Sequence, residues 1–198
     1  AAFAATLIVG TGSSIAGGAG AYFYTYVLGD MKLMSGVSII GLIASLVGIV
    51  MGPYLANRFG KKKVYLTAVI ISTALNLLRL LDVTSMILIY ISALIGGVAG
   101  GWMVPVSTSI QADNTTYVQY KTGKRAEAAI ASLTSFVSKV AQGLGGAIPG
   151  YVIAAYGFVT GASVQPESIN TGIILCALIL PLIFGILGSL IFGTQYTL

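Results

Sequence analysis

The sequence has no histidine and a single cysteine, Cys176, among its 198 residues. Without a Cys/His cluster there is no ordinary zinc site to look for, and one thiol cannot build a disulfide framework. Charge is scarce as well: five acids and ten bases make up 8% of the chain, while 57% of it is hydrophobic. With a mean hydropathy of +0.96, such a chain has too little polar surface for a soluble globule. The first apolar run lacks a basic n-region and exceeds the h-region of a secretory signal, which argues against a cleaved leader. The chain opens on Ala1 rather than Met, and a trimmed or fragmentary chain is expected.

What is present is a series of long charge-free intervals, 1–29, 33–57, 64–78, 83–112, 140–166 and 168–198. A membrane crossing needs roughly 17–25 apolar residues. The third interval becomes long enough when Arg79 snorkels from the helix end toward headgroups. The fifth joins 128–138 across Lys139 into one long helix. Six spans are predicted, at 4–27, 34–56, 64–81, 85–110, 126–156 and 169–192, forming one all-α, polytopic six-helix domain over residues 1–198. The longest connections fall at 111–125 and 157–168, and Gly, Asn, Asp and Pro punctuate the turns.

Basic residues set the orientation. One set of loops carries Arg58, Lys61, Lys62, Lys63, Lys121, Lys124 and Arg125; the other carries Lys32 and Arg79 with Asp30, Asp82 and Glu167. An excess of Lys and Arg marks the cytoplasmic side, so both ends of the segment are expected in the cytoplasm, on a cell (inner) membrane. The positive charge is used up by topology, which leaves no basic patch for a nucleic acid.

Within the spans, Lys139 stands alone. An ammonium at membrane depth costs ~2.5–3.5 kcal/mol on insertion scales and as a rule faces a wet cavity or a partner. At 3.6 residues per turn, Ser132, Ser135, Lys139 and Gln142 form one stripe, continued by Gly143 and Gly146, while Thr134 points away from it. Such a stripe suits a cavity wall; the plainer alternative is a lysine that ties helices together. Trp102, the single tryptophan, falls near mid-span, where it could stack on a sugar face or pack in the core; Pro105 and Ser107 to Ser109 would break or hydrate the helix below it. Small residues four apart (Gly12, Ala16 and Gly20; Gly96 and Gly100; Gly97 and Gly101; Gly146 and Gly150) let helices approach closely in lipid. Tyr22, Tyr24 and Tyr26 read as belt residues at a helix end.

The run Ala112-Asp113-Asn114-Thr115-Thr116-Tyr117-Val118-Gln119-Tyr120-Lys121-Thr122-Gly123-Lys124-Arg125-Ala126-Glu127, followed by Lys139, resembles the glycoside–pentoside–hexuronide:cation symporters, the melibiose-permease-like branch of the major facilitator superfamily. Tyr22 to Gly29 and Leu55 to Lys62 match stretches of the same family, and the likeness extends from the start to about residue 157. Thr116, Gln119 and Tyr120 depart from its pattern, which has an Asp and a Gly-Glu there. The resemblance implies the C-terminal half of a twelve-helix sugar transporter, with three-plus-three inverted repeats. It implies that Lys139 and Ser135 line the sugar cavity, and Gln142 and Trp102 are added to them as substrate-binding candidates. It further implies that Asp113, Arg125, Glu127 and Arg58 serve a cytoplasmic gate. No cofactor is expected. The coupling Na⁺ or H⁺ would be held mainly by an N-terminal half absent from this chain; partners are therefore that half, a sugar, a cation and lipid. The alternative is a six-span channel or half-size transporter acting as a homodimer. A membrane enzyme would need a nucleophile, acid or metal cluster at one depth, and none is evident.

Overall fold

The computed structural model describes residues 2–123, 126–159 and 165–195. Helix α1 spans Ala2–Tyr22 and continues as a π-helical turn, Phe23–Val27; α2 is Lys32–Phe59, α3 Lys61–Leu81, α4 Met86–Thr122 and α5 Glu127–Ala155. The last rod begins as α6, Ser168–Ile174, passes through a π turn at Leu175–Ile179 and ends as α7, Leu180–Gln195. The protein is all-helical and polytopic. Five of these rods, all but α5, are long and apolar enough to cross a membrane. At 29 residues α5 is also long enough, but its serines, glycines, Lys139 and Gln142 dilute its apolar content.

The connection expected at 111–125 is mostly helix. Nothing between Gln111 and Thr122 breaks the backbone ladder, so α4 runs for 37 residues, about 55 Å at 1.5 Å per residue. That exceeds a hydrocarbon core of about 30 Å, and the last turns project beyond it. The helix stops where Gly123 takes a left-handed φ of 69° and returns its N–H to the Gln119 carbonyl at 2.9 Å. Pro105 does not break α4 either. The Ser107 and Thr108 hydroxyls fold back on the Val104 carbonyl at 2.9 and 3.1 Å, within the turn that follows the proline.

Packing repeats itself. Helix α2 lies along α4 and α5 along α1; α1 meets α7 as α4 meets α3, and α3 and α7 meet behind. Exchanging α1–α3 for α4–α7 maps this pattern onto itself, the pairing that a three-plus-three repeat gives. Both central pairs rest on backbone contact. A side chain at Gly101 would strike the Ser45 carbonyl of α2, and one at Gly145 would strike Ser14 of α1. Of the small-residue pairs, Gly97 and Gly101 pack in this way, whereas Gly100, Gly146 and Gly150 have nothing within 4 Å. Close packing thus accounts for one face of α4 and leaves Gly146 and Gly150 of α5 bare.

Two apolar cores result. One gathers Tyr65, Val69, Val106, Ile110 and Phe192; the other gathers Phe23, Ile89, Ile153, Ile169, Ile173 and Leu178. The first lies toward the end that carries Lys61 to Lys63, the second toward the opposite end.

Candidate functional site: a polar cleft between α1 and α4

Helices α1 and α4 lean on their own partners rather than on each other. The space left between them is lined by small and polar residues and closed from behind by α3 and α7. At the lysine-rich end it opens into a cavity of about 300 Å³. Thr6 and Ser13 of α1, Ser107, Gln111 and Asn114 of α4, and Thr134 and Ser138 of α5 supply its polar groups. Tyr65 and Phe192 form its rear wall, their rings 4.4 Å apart.

Helix α5 turns a second face outward. Ser132, Ser135, Lys139, Gln142, Gly143, Gly146 and Gly150 are all exposed, and among the described residues the Lys139 amine has neither an ion-pair nor a hydrogen-bond partner. The stripe predicted from the sequence is therefore continuous and uncovered. The cavity lining, however, takes Thr134 and Ser138 from the neighbouring face of α5 rather than Ser135, Lys139 and Gln142. Thr134 does point away from the lysine stripe; it points into the cleft.

Trp102 lies elsewhere. Its ring packs against the core of Val64, Val106 and Phe192, and it lines an apolar groove with Met51, Leu55 and Thr67 between α2, α3 and α4. Its Nε1 is buried and has no hydrogen-bond partner among the described residues. The geometry does not bring this indole together with Lys139.

Of the four gate candidates, Asp113 has a charged partner within the chain, and it is Lys61 rather than Arg58. The Lys61 ammonium donates to both Asp113 oxygens at 2.8 and 2.6 Å, which ties the start of α3 to the end of α4. Arg58 is exposed and instead reaches the Tyr54 hydroxyl at 3.3 Å and the Phe59 ring at 5.4 Å. Glu127 opens α5 and favours the positive end of the helix dipole. Arg125 lies outside the described residues.

Two sequence-level expectations are overturned at the opposite end. Arg79 does not snorkel outward. It turns into the bundle with its guanidinium carbon 5.1 Å from the centre of the Phe23 ring, and its Nε is enclosed without a hydrogen-bond partner. Tyr24 is likewise no belt residue, because it lines the same space as Arg79. Tyr22 and Tyr26 are one turn apart, stack at 6.4 Å and both meet Phe158 edge-on at 5.7 and 5.8 Å. Tyr24 sits two positions from each and so faces the other way, inward. The signal that could have located this region was the polar series Ser72, Asn76 and Arg79 on one face of α3, at spacings of four and three.

The family described as MFS/sugar transport protein matches residues 1–198. The isoprimeverose transporter of Lactiplantibacillus pentosus is 28% identical over 154 residues, 75% of this chain and 31% of the relative. An uncharacterized symporter of Bacillus subtilis (strain 168) is 32% identical over 180 residues, 89% of this chain and 38% of the relative. The glucuronide carrier protein homolog of Escherichia coli (strain K12) is 31% identical over 163 residues, 79% of this chain and 35% of the relative. The chain spans about a third of the length of the curated relatives it matches. These names describe membrane transporters and not enzymes. With apolar rods, a polar cleft and a match along its whole length, the chain belongs to the MFS/sugar transport protein family.

Proposed function

We propose that this chain is a six-helix domain forming the C-terminal half of a sugar:cation symporter, in which two halves rock about a midplane site and expose it alternately to either side. The carrying observation is the uncovered polar face of α5 in a membrane protein, with an unneutralised Lys139 at its centre. A charge so placed needs water or an opposite charge. A second half laid against this face would give it both: a wet cavity, and acids that also hold Na⁺ or H⁺. The relatives' names, an isoprimeverose transporter and a glucuronide carrier homolog, support a sugar or sugar-derived solute. Ser135, Lys139 and Gln142 would face it from α5, joined by Thr134 and Ser138 from the cleft side.

The lysine-rich end would lie in the cytoplasm of a cell membrane, with both ends of the segment there. On that side Asp113 and Lys61, together with Arg58, Arg125 and Glu127, would make and break contacts as the gate moves. The test is uptake by the full-length protein in proteoliposomes. Lys139→Leu should insert normally and lose coupled accumulation; wild-type accumulation by that variant removes Lys139 from the mechanism. Six further spans upstream in the reading frame would separate this arrangement from the homodimer alternative.

A further inference from the structure

At the end opposite the lysines, two adjoining cavities of about 220 and 300 Å³ share Tyr24, Asn76 and Arg79. Ser72 and Ser92 add hydroxyls on the α4 side, and Gly17 and Gly20 on the α1 side leave the approach open, since a side chain added at either would meet nothing within 4 Å. The guanidinium reaches this space from α3, behind the α1–α4 cleft. One face of it rests near the Phe23 ring, and its Nε is shut away from solvent and unpaired.

No carboxylate among the described residues forms an ion pair with Arg79. Asp82, the nearest in sequence, accepts from the Thr84 N–H and hydroxyl at 3.1 and 3.0 Å, and Asp30, in the loop after α1, accepts from the Lys32 N–H at 2.8 Å. A partly desolvated cation without a counter-charge is costly to hold, and the cost is recovered when an anion arrives. The planar fork of arginine matches a carboxylate or sulfonate in two parallel hydrogen bonds. An amide, two serines and a tyrosine around it are groups that hydrogen-bond sugar hydroxyls.

We propose that Arg79, with Asn76, Ser72, Ser92 and Tyr24, forms a second solute site, separate from the α5 stripe, that binds the carboxylate or sulfonate group of an anionic sugar. The proposal rests on the transporter reading only for the route by which the solute arrives; the site itself is an equilibrium property of the bundle.

The test is calorimetric titration of the full-length purified protein with methyl glucuronide, its 6-sulfonate analogue and the neutral methyl glucoside. Wild type should bind at least one anionic probe. Arg79→Gln should weaken that binding about 10- to 100-fold, the worth of a charge-assisted hydrogen bond, and leave the neutral probe within about twofold. Arg79→Lys should recover part of the loss, and Ser92→Ala should weaken the anionic probe by about 2- to 10-fold. Failure of both anionic probes to bind wild type overturns the site. So does an equal loss of charged and neutral binding in Arg79→Gln with a lowered melting temperature, since that marks an arginine paired with a carboxylate of the protein's own remainder. Binding that survives without uptake would sink the transport cycle and leave the site standing.

Discussion

At the lysine-rich end of the α1–α4 cleft the rear wall is an aromatic pair, Tyr65 against Phe192 at 4.4 Å. At the opposite end Arg79 of α3 faces the ring of Phe23, in the π turn that continues α1, at 5.1 Å. The helix pairing is unchanged when α1–α3 are exchanged for α4–α7, so the pairing alone does not set the two ends apart. Side chains do. At one end the rear wall is an apolar contact that needs no further partner, and α3 is tied to α4 there by Lys61 and Asp113. The other holds a positive charge that the described residues leave unneutralised. A near-symmetric scaffold with unlike ends can respond differently to what enters from each side.

The comparison can be broken most directly at the apolar end. Phe192→Ala removes a ring that is 2% exposed and should destabilise the protein by about 3–5 kcal/mol, the usual cost of such a truncation. Thermal melting of the full-length protein in detergent measures this; a shift near zero would mean the aromatic wall carries no load. At the charged end a smaller effect is expected. Phe23→Leu keeps apolar bulk but removes the π face beneath Arg79, worth about 0.5–2 kcal/mol. Most of that difference should vanish in an Arg79→Gln background, which a double-mutant cycle reads as coupling. The smallest change belongs to the staple. Lys61 and Asp113 are 35% and 41% exposed, so Asp113→Asn should shift stability by no more than about 1 kcal/mol. Whatever effect it has should shrink in high salt, which screens exposed charges; a larger, salt-independent loss would make the pair a structural lock.

Much of this was legible in the residue order. Charge-free intervals bounded by Asp30, Arg58, Asp82 and Asp113 gave the rods, because lipid admits long apolar helices and little else. The stripe from Ser132 to Gly146 was legible because helical periodicity is a local property. Arg79 was misread for the same reason: one-dimensional position near a helix end says headgroup, while only neighbouring helices say whether the inward direction is open. Trp102 was mid-span in sequence, yet its azimuth on α4 aims it at α2 and α3. The extra turns of α4 went unseen because polar residues at 111–122 looked like a loop, although none of them stops a helix before Gly123.

Composition and spacing by themselves determined that this is an all-helical membrane protein with a cation on a polar stripe of its fifth helix, since the first follows from hydrophobicity summed along the chain and the second from helical periodicity. Only the tertiary structure decided which faces are covered. It packed Gly97, Gly101 and Gly145 against neighbouring backbones, left Gly146 on the Lys139 stripe open, and drew Arg79 into the bundle. The physical reason is that burial is a relation between helices, and the angle at which two of them meet is fixed by side chains far apart in sequence.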